Sequence, residues 1–123
     1  MLSKYNKLLF RDLKTVRVSQ DKQELIFEFM DGSASIYKTS ADCCSSSWIE
    51  YLTNNVRSAE QIVDVEELAN VKPQDGHQCG PWCAHDVLKT YQVVFITNKK
   101  NRIVVEFRNN SNGYYGGDLL PVR

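Results

Sequence analysis

Four side chains that commonly bind transition metals fall within nine residues of this 123-residue chain. In the pattern H-x-C-x3-C-x-H they are His77, Cys79, Cys83 and His85. Zinc accepts cysteine sulfur and histidine nitrogen in a tetrahedral arrangement, and Gly80-Pro81 can turn the chain so that both sulfurs face one ion. The pattern therefore indicates a candidate structural Cys2His2 zinc site, whose binding energy would stabilise a loop with little apolar surface.

Two other arrangements fit the same residues. The single residue between each histidine and its cysteine strains coordination by this segment alone, because the usual knuckle spacing is C-x2-C. Cys79 and Cys83 could instead combine with one histidine and with Cys43 or Cys44, brought across the fold. The remaining interpretation is a surface loop without metal, in which Trp82 packs on the sheet.

A second motif, Asp42-Cys43-Cys44, directly precedes a predicted helix. The positive end of a helix dipole lowers the pKa of a thiol and raises its thiolate fraction. If His77 or His85 folded over Cys44, the pair could carry out nucleophilic acyl transfer, with Asp42 orienting the imidazole. Nothing local supplies an oxyanion hole, and cysteine is among the most frequently buried residues. The pattern therefore favours a structural role for these thiols.

Aromatic residues in two loops form a third candidate site. Tyr114 and Tyr115 follow the turn-forming pair Asn112-Gly113, and their rings could stack on a base, a sugar or a partner side chain. Trp82 belongs to a residue type enriched at interface hot spots. In the alternative interpretation, Asn112-Gly113 only reverses the chain while a tyrosine covers the sheet.

Alternation of apolar and polar residues predicts most of the elements that must position these groups. Residues 24–30 place Leu25, Phe27 and Phe29 on one face, as in a half-buried strand. Asp31-Gly32 then favours a tight hairpin, because both residue types tolerate positive φ. After this turn, Ala34, Ile36 and Tyr37 continue the pattern and predict the second strand of the hairpin. A short β-like run with Val16 and Val18 in residues 13–20 precedes it.

The C-terminal part contains a second predicted hairpin. Residues 91–97 are β-branched and aromatic on both faces, which is typical of a central strand, and residues 98–101 form a polar turn. Residues 102–108 alternate apolar with charged side chains, which predicts a strand with one solvated face. Pro121 confines the last short strand to a sheet edge, because proline cannot donate to a central ladder.

One helix is expected between these hairpins. The segment 47–50 matches a capping box, in which Ser47 and Glu50 cap each other's backbone amides. Trp48, Ile49 and Leu52 follow at helical spacing, which predicts a short helix to about Asn54. Residues 61–68 fit a strand or a helix margin equally well.

The sum is a single α+β domain over residues 1–123, with a mainly antiparallel sheet of about five to seven strands. One short helix follows the first hairpin, and an irregular insertion loop occupies residues 72–86, where neither periodicity holds. The balance of 15 basic and 15 acidic residues gives no overall attraction to nucleic acid or an anionic membrane. The basic residues near one hairpin, Lys99, Lys100, Arg102 and Arg108, are a weak signal for phosphate.

The start of the chain lacks a signal-peptide run, and no stretch approaches the roughly 18 apolar residues of a transmembrane helix. We therefore expect a cytoplasmic protein whose cysteines are thiols or metal ligands rather than disulfides. The combination of Asp42-Cys43-Cys44, Trp48-Ile49-Glu50 and Ser111-Asn112-Gly113-Tyr114-Tyr115 resembles a family of short phage and bacterial proteins known only as a domain of unknown function. The resemblance implies a small α+β domain of phage or mobile-element origin and supplies no catalytic residues.

These observations favour a small non-enzymatic intracellular binding protein, of the kind phages use to engage or inhibit a host protein. The expected partner is another protein, neither a membrane nor, on balance, a nucleic acid. The rival is a small enzyme or nucleotide-handling protein that uses the Cys44 thiolate or an open zinc site. Glu50 and Asp42 are the candidates for an acid or base in that case.

Overall fold

The described residues fold into two four-stranded antiparallel sheets. A computed structural model describes residues 3–41, 46–54, 59–69, 87–111 and 117–122. After a 3-10 helix at Ser3–Leu8 come β1 (Leu13–Val18), β2 (Glu24–Phe29), β3 (Ala34–Ala41), β4 (Ser46–Asn54), β5 (Ile62–Ala69), β6 (Val87–Thr97), β7 (Arg102–Ser111) and β8 (Gly117–Pro121). Sheet I has the order β1-β2-β3-β8, and sheet II has the order β4-β7-β6-β5.

The core lies between the two sheets. The predicted alternation in β2 is confirmed, since Leu25, Phe27 and Phe29 are buried while Glu28 lies on the other face. The rings of Phe27 and Phe95 meet edge-on across the sandwich, with centroids 5.1 Å apart. Sheet II contributes its inward-facing residues to the same cluster, among them Val93, Ile103, Val105 and Phe107.

The 3-10 helix closes one side of this sandwich. Tyr5 is fully buried and packs edge-on against Phe95, with centroids 5.4 Å apart. The Tyr5 hydroxyl donates to Glu67 Oε1 at 3.0 Å, and the Tyr37 hydroxyl donates to the Lys4 carbonyl at 2.6 Å. Burial raises the pKa of Tyr37 to about 12. The helix is thus fixed to both sheets.

The predicted helix after the first hairpin is wrong, because Ser46–Asn54 forms strand β4. Trp, Ile, Tyr and Thr dominate this segment, and these side chains fit a pleated sheet better than a helix. A β-bulge between Ile49 and Tyr51 inserts one extra residue, so Ile49 and Leu52 pair with inward-facing residues of β7 despite a spacing of three. That spacing imitates the period of a helix.

The fold class is therefore corrected from α+β to all-β, with eight strands in the described residues rather than five to seven. Residues 62–68 of the ambiguous segment 61–68 lie in β5, and both predicted hairpins are confirmed. Gly32 adopts φ +87° in the first hairpin turn, as the Asp31-Gly32 pair predicts. Pro121 lies on β8, which pairs only with β3 among the described strands, so its edge position is confirmed too.

Candidate functional site

Three connections between strands leave from the same end of the molecule, which we call the loop end. They comprise residues 42–45, 70–86 and 112–116, and the strands on either side fix where each begins and ends. The flanking register pairs are Ala69 with Tyr91, Val87 with Ser111, Ser46 with Asn110, and Ala41 with Gly117. The topology therefore brings the roots of all three connections together.

A buried polar network joins the two sheets at the loop end. Gln23 Nε2 donates to the Ser47 carbonyl at 3.0 Å, and the Thr39 hydroxyl donates to Gln23 Oε1 at 2.6 Å. Asn109 Nδ2 donates to Ser47 Oγ at 2.9 Å. Because buried polar groups cost free energy unless they are hydrogen-bonded, this network fixes how β4 sits against sheet I.

The residues that the sequence analysis assigned to metal binding or partner binding lie in these connections, outside the described residues. They are His77, Cys79, Trp82, Cys83, His85, Tyr114 and Tyr115, and Asp42, Cys43 and Cys44 lie outside as well. Within the described residues, no group of three metal-binding side chains occurs. That statement covers none of the cysteines or histidines, since each of them belongs to a connection at the loop end.

A cavity of about 300 Å³ opens at the root of the 70–86 connection. Its walls are Glu67, Leu68, Ala69, Tyr91, Gln92, Val93 and Phe107. The rings of Tyr91 and Phe107 are stacked, with centroids 4.9 Å apart and planes 13° apart, while Leu68 is 44% exposed. Glu67 lies 3.0 Å from Lys4 Nζ. The cavity can hold an apolar or aromatic group beside this ion pair.

The outer face of β7 is exposed at Arg102, as the sequence predicts, but buried at Glu106 and Arg108. Glu106 is fully buried, Arg108 is 4% exposed, and Arg108 Nη2 donates to Glu106 Oε2 at 2.8 Å. Arg108 Nη1 also lies 3.9 Å from Glu50 Oε1, and Trp48 Nε1 donates to Glu50 Oε2 at 2.7 Å. The arrangement places fixed charges beside an indole ring on the outer face of sheet II.

The correction of β4 also changes the expected chemistry of the neighbouring thiols. A lowered pKa of the Cys44 thiol would require the positive end of a helix directly after it. The element that follows is strand β4, and a strand has almost no net dipole. Glu50, the candidate acid or base, accepts a hydrogen bond from Trp48 and faces Arg108. Both contacts fix the position of the Glu50 carboxylate on the outer face of sheet II.

Sequence reasoning missed the described part of the site. Tyr91 and Phe107 are recognisable only as strand residues, because their stacking depends on the register of β6 and β7. Because Arg108 and Glu106 are charged and alternate with apolar residues, the sequence predicts that their side chains face solvent. The only available signal was the presence of two large aromatic side chains in strands that flank long connections.

Two packed antiparallel sheets of four strands each define an all-β sandwich with its chemically rich connections at one end. The chain belongs to the family described as a domain of unknown function, DUF7448, whose model matches residues 6–120. The resemblance to an uncharacterised family is thereby confirmed. No curated protein and no solved structure matches the chain. None of the described residues form a helix of the length and apolarity needed to cross a membrane.

Proposed function

We propose that this protein is a non-enzymatic binding module that engages another protein through the loop end. The observation that supports this proposal is the convergence of three strand connections on that end. Binding residues on many scaffolds lie in loops that a rigid sheet positions. Trp82, Tyr114 and Tyr115 occur in these connections, and their residue types are enriched at interface hot spots.

The described residues add two features that suit protein recognition. The cavity beside the Tyr91–Phe107 stack would accept an apolar side chain of the partner. The exposed carboxylate of Glu50, held in place by Trp48 and Arg108, would favour partners of matching charge. Apolar contact would supply affinity, and the charges would supply specificity.

We further propose a structural zinc ion in the 70–86 connection, held by His77, Cys79, Cys83 and His85. A metal would stabilise a long connection that has few apolar residues. The shared origin of the 42–45 connection at the loop end also supports the alternative set, in which Cys43 or Cys44 replaces one histidine. Both sets bind the ion through cysteine thiolates, so the thiols would release protons when the ion binds.

The proposed setting is the cytoplasm of a host cell, with the module acting as a phage or mobile-element accessory protein that binds or inhibits a host protein. The motifs Asp42-Cys43-Cys44 and Ser111-Asn112-Gly113-Tyr114-Tyr115, which resemble those of phage and bacterial proteins, support this setting. A role of the four cysteines as thiols or metal ligands would fit a reducing compartment.

The binding proposal is tested by comparing partners captured from host-cell lysate by the wild-type chain and by a Trp82→Ser, Tyr114→Ser, Tyr115→Ser variant. We expect a protein that the wild type captures and the variant loses. A matched control, Leu120→Asn and Lys38→Glu on the outer face of sheet I, should retain it. Equal capture by all three proteins would contradict a role for the loop end.

The zinc proposal is tested by elemental mass spectrometry of the untagged protein. We expect about one zinc ion per chain, lost in a Cys79→Ser, Cys83→Ser variant together with a fall in melting temperature. A Cys43→Ser, Cys44→Ser variant separates the two ligand sets, because only the alternative set would lose zinc there. Protein purified without a chelator and free of metal would exclude both sets.

A further inference from the structure

The end of sheet II opposite the loop end carries a second surface that the proposed function does not use. We call it the hairpin end and define it by residues 9–12, 30–33, 59–61 and 98–102. These segments hold the turn between β6 and β7, the turn between β2 and β3, and the chain that enters β1 and β5. Each segment is short and fully described.

Hydrogen bonds tie these segments into one rigid unit. The Met30 amide donates to the Asp12 carbonyl at 2.9 Å, and Gln61 Nε2 donates to Asp12 Oδ1 at 2.9 Å. The Asn98 amide donates to the Gln61 carbonyl at 2.8 Å, and Asn98 Oδ1 accepts from the Gln61 amide at 3.2 Å. The surface is therefore preorganised, which lowers the entropy lost when a partner binds.

A buried carboxylate supports the β6–β7 turn from below. Glu60 is fully buried, and its Oε1 accepts from the Thr97 hydroxyl at 2.9 Å and from Asn101 Nδ2 at 2.7 Å. Thr97 and Asn101 flank Lys99 and Lys100, so the two lysines project from a turn that is fixed at its base. The cations therefore keep a set position relative to the sheet.

Two large apolar side chains are exposed on the same end. Phe10 is 65% exposed and Met30 is 53% exposed. Phe10 adopts φ +61°, a left-handed conformation that is rare for a bulky residue, and its amide donates to the Ile62 carbonyl at 3.0 Å. Strained residues of this kind occur often at binding sites. The backbone therefore holds the ring outward.

The charges around these apolar groups are unequal. In the described part of the chain, Lys99, Lys100 and Arg102 make no ion pair with a carboxylate. Asp31 accepts from Ser33 and pairs with Arg11 at 3.6 Å, while Asp12 accepts from the neutral Gln61 amide, so the three cations outnumber the remaining carboxylate of Asp12. The surface thus presents unmatched positive charge beside apolar area.

We propose that the hairpin end docks a protein segment in which acidic side chains flank an apolar residue. The apolar residue would pack on Phe10 and Met30, and the carboxylates would pair with Lys99 and Lys100. This surface is separate from the loop end, so the protein would hold two partners, or two parts of one partner, at opposite ends of sheet II. The proposal does not depend on a metal or on the loop-end partner.

An anionic membrane is the less suitable occupant for the same surface. Hydrogen bonds from the Ser33 hydroxyl and amide hold the pKa of Asp31 below its usual value, so this carboxylate stays ionised. It follows directly after Met30, and insertion of Met30 would bring a fixed negative charge to a negatively charged lipid surface. A peptide can place its carboxylates over the lysines and leave Asp31 in solvent.

The test uses an array of short synthetic peptides in which Leu, Phe or Trp is flanked by Glu and Asp, with a matched array that has Lys in place of the acids. Binding is measured by fluorescence anisotropy. We expect acidic peptides to bind and lysine peptides not to bind. Phe10→Asn, which keeps the left-handed backbone but removes the ring, should weaken binding by about tenfold or more, and Lys99→Glu with Lys100→Glu should abolish it.

The matched control is again Leu120→Asn with Lys38→Glu, which removes an exposed apolar side chain and a cation from sheet I. It should bind the acidic peptides as well as the wild type does. Equal binding by the Phe10 variant, or no preference for acidic over lysine peptides, would overturn the proposal. So would Phe10-dependent binding to phosphatidylcholine vesicles containing phosphatidylserine, which would identify a membrane surface instead.

Discussion

The two ends of sheet II use opposite means to present side chains. The described residues of the hairpin end form short turns whose shape is set by local hydrogen bonds, such as the bond from the Thr97 amide to the Asn101 carbonyl at 2.9 Å. The loop end is a fixed base of strand pairs and buried polar groups from which the connections 42–45, 70–86 and 112–116 leave. The proposed binding groups of the hairpin end belong to the framework, and those of the loop end belong to the connections.

The hydrogen-bond partners of the buried carboxylates also differ between the two regions. At the hairpin end, the Glu60 carboxylate is held by the neutral donors Thr97 and Asn101. At the loop end, Glu106 is held by the charged partner Arg108. Loss of Thr97 or Asn101 removes a neutral hydrogen-bond donor from Glu60, whereas loss of Arg108 removes a charged donor from Glu106. The second defect costs more free energy in a buried site.

The largest expected effect follows from breaking the loop-end pair. Arg108→Leu should lower the free energy of unfolding by about 3–5 kcal/mol, because it removes the charged donor that contacts the buried Glu106 carboxylate. Urea denaturation followed by tryptophan fluorescence measures this change. A double variant, Glu106→Leu with Arg108→Leu, should recover most of the loss, because a buried pair can be replaced by packed apolar groups. A single variant as stable as the double would contradict this interpretation.

Loss of the buried carboxylate at the hairpin end should reduce the free energy of unfolding by a smaller amount. Glu60→Ala removes the acceptor for Thr97 and Asn101 and should cost about 2–3 kcal/mol by urea denaturation. Glu66→Ala, on an exposed face of β5, is the matched control and should change stability by less than about 0.5 kcal/mol. If Glu60→Ala were as neutral as Glu66→Ala, the turn would not depend on this carboxylate.

The sequence predicts the hairpin end better than the loop end for a physical reason. Strand period and turn chemistry are local, so residues 24–30, Asp31-Gly32 and residues 98–101 could be interpreted from a few neighbours. The exposure of Phe10 and the burial of Glu60 depend on contacts with distant residues such as Ile62 and Thr97. Those contacts leave no periodic trace in the sequence.

The failed helix prediction shows where local reasoning breaks down. Ile49 and Leu52 share an inward direction because a bulge shifts the phase of β4, and a bulge has no reliable sequence signature. Ser47, expected to cap the helix, instead accepts a hydrogen bond from Asn109, 62 residues away. The candidate metal and aromatic residues were recognised from type and spacing alone, and the strands predict only where their segments begin and end.

The buried hydroxyl of Tyr37 predicts how the stability of the protein changes at high pH. Burial raises the pKa of Tyr37 to about 12, while an unfolded tyrosine ionises near 10.0. The contribution of Tyr37 to the free energy of unfolding is therefore constant below pH 10 and falls between pH 10 and 12. The total loss is about 2–3 kcal/mol, because one pKa unit equals about 1.4 kcal/mol. The difference in stability between the wild type and Tyr37→Phe isolates this effect.

Tyr37→Phe should be less stable by about 1 kcal/mol at pH 8, because it loses the hydrogen bond to the Lys4 carbonyl. The wild type should lose this advantage as pH rises above 10. Urea denaturation at a series of pH values measures both quantities. A difference that stays constant up to pH 12 would show that the Tyr37 hydroxyl is not protected from ionisation in the folded state.

The smallest effect separates stability from binding at the hairpin end. Lys100 has φ +66° in the β6–β7 turn, a conformation that glycine adopts without strain. Lys100→Gly should therefore raise the free energy of unfolding by about 0.5–1 kcal/mol, measured by thermal denaturation, whereas Lys99→Gly should not, because Lys99 lacks this conformation. If the hairpin end binds acidic segments, both variants should bind them more weakly. A more stable variant with a weaker interaction would mean that Lys100 occupies this strained position for binding rather than for folding.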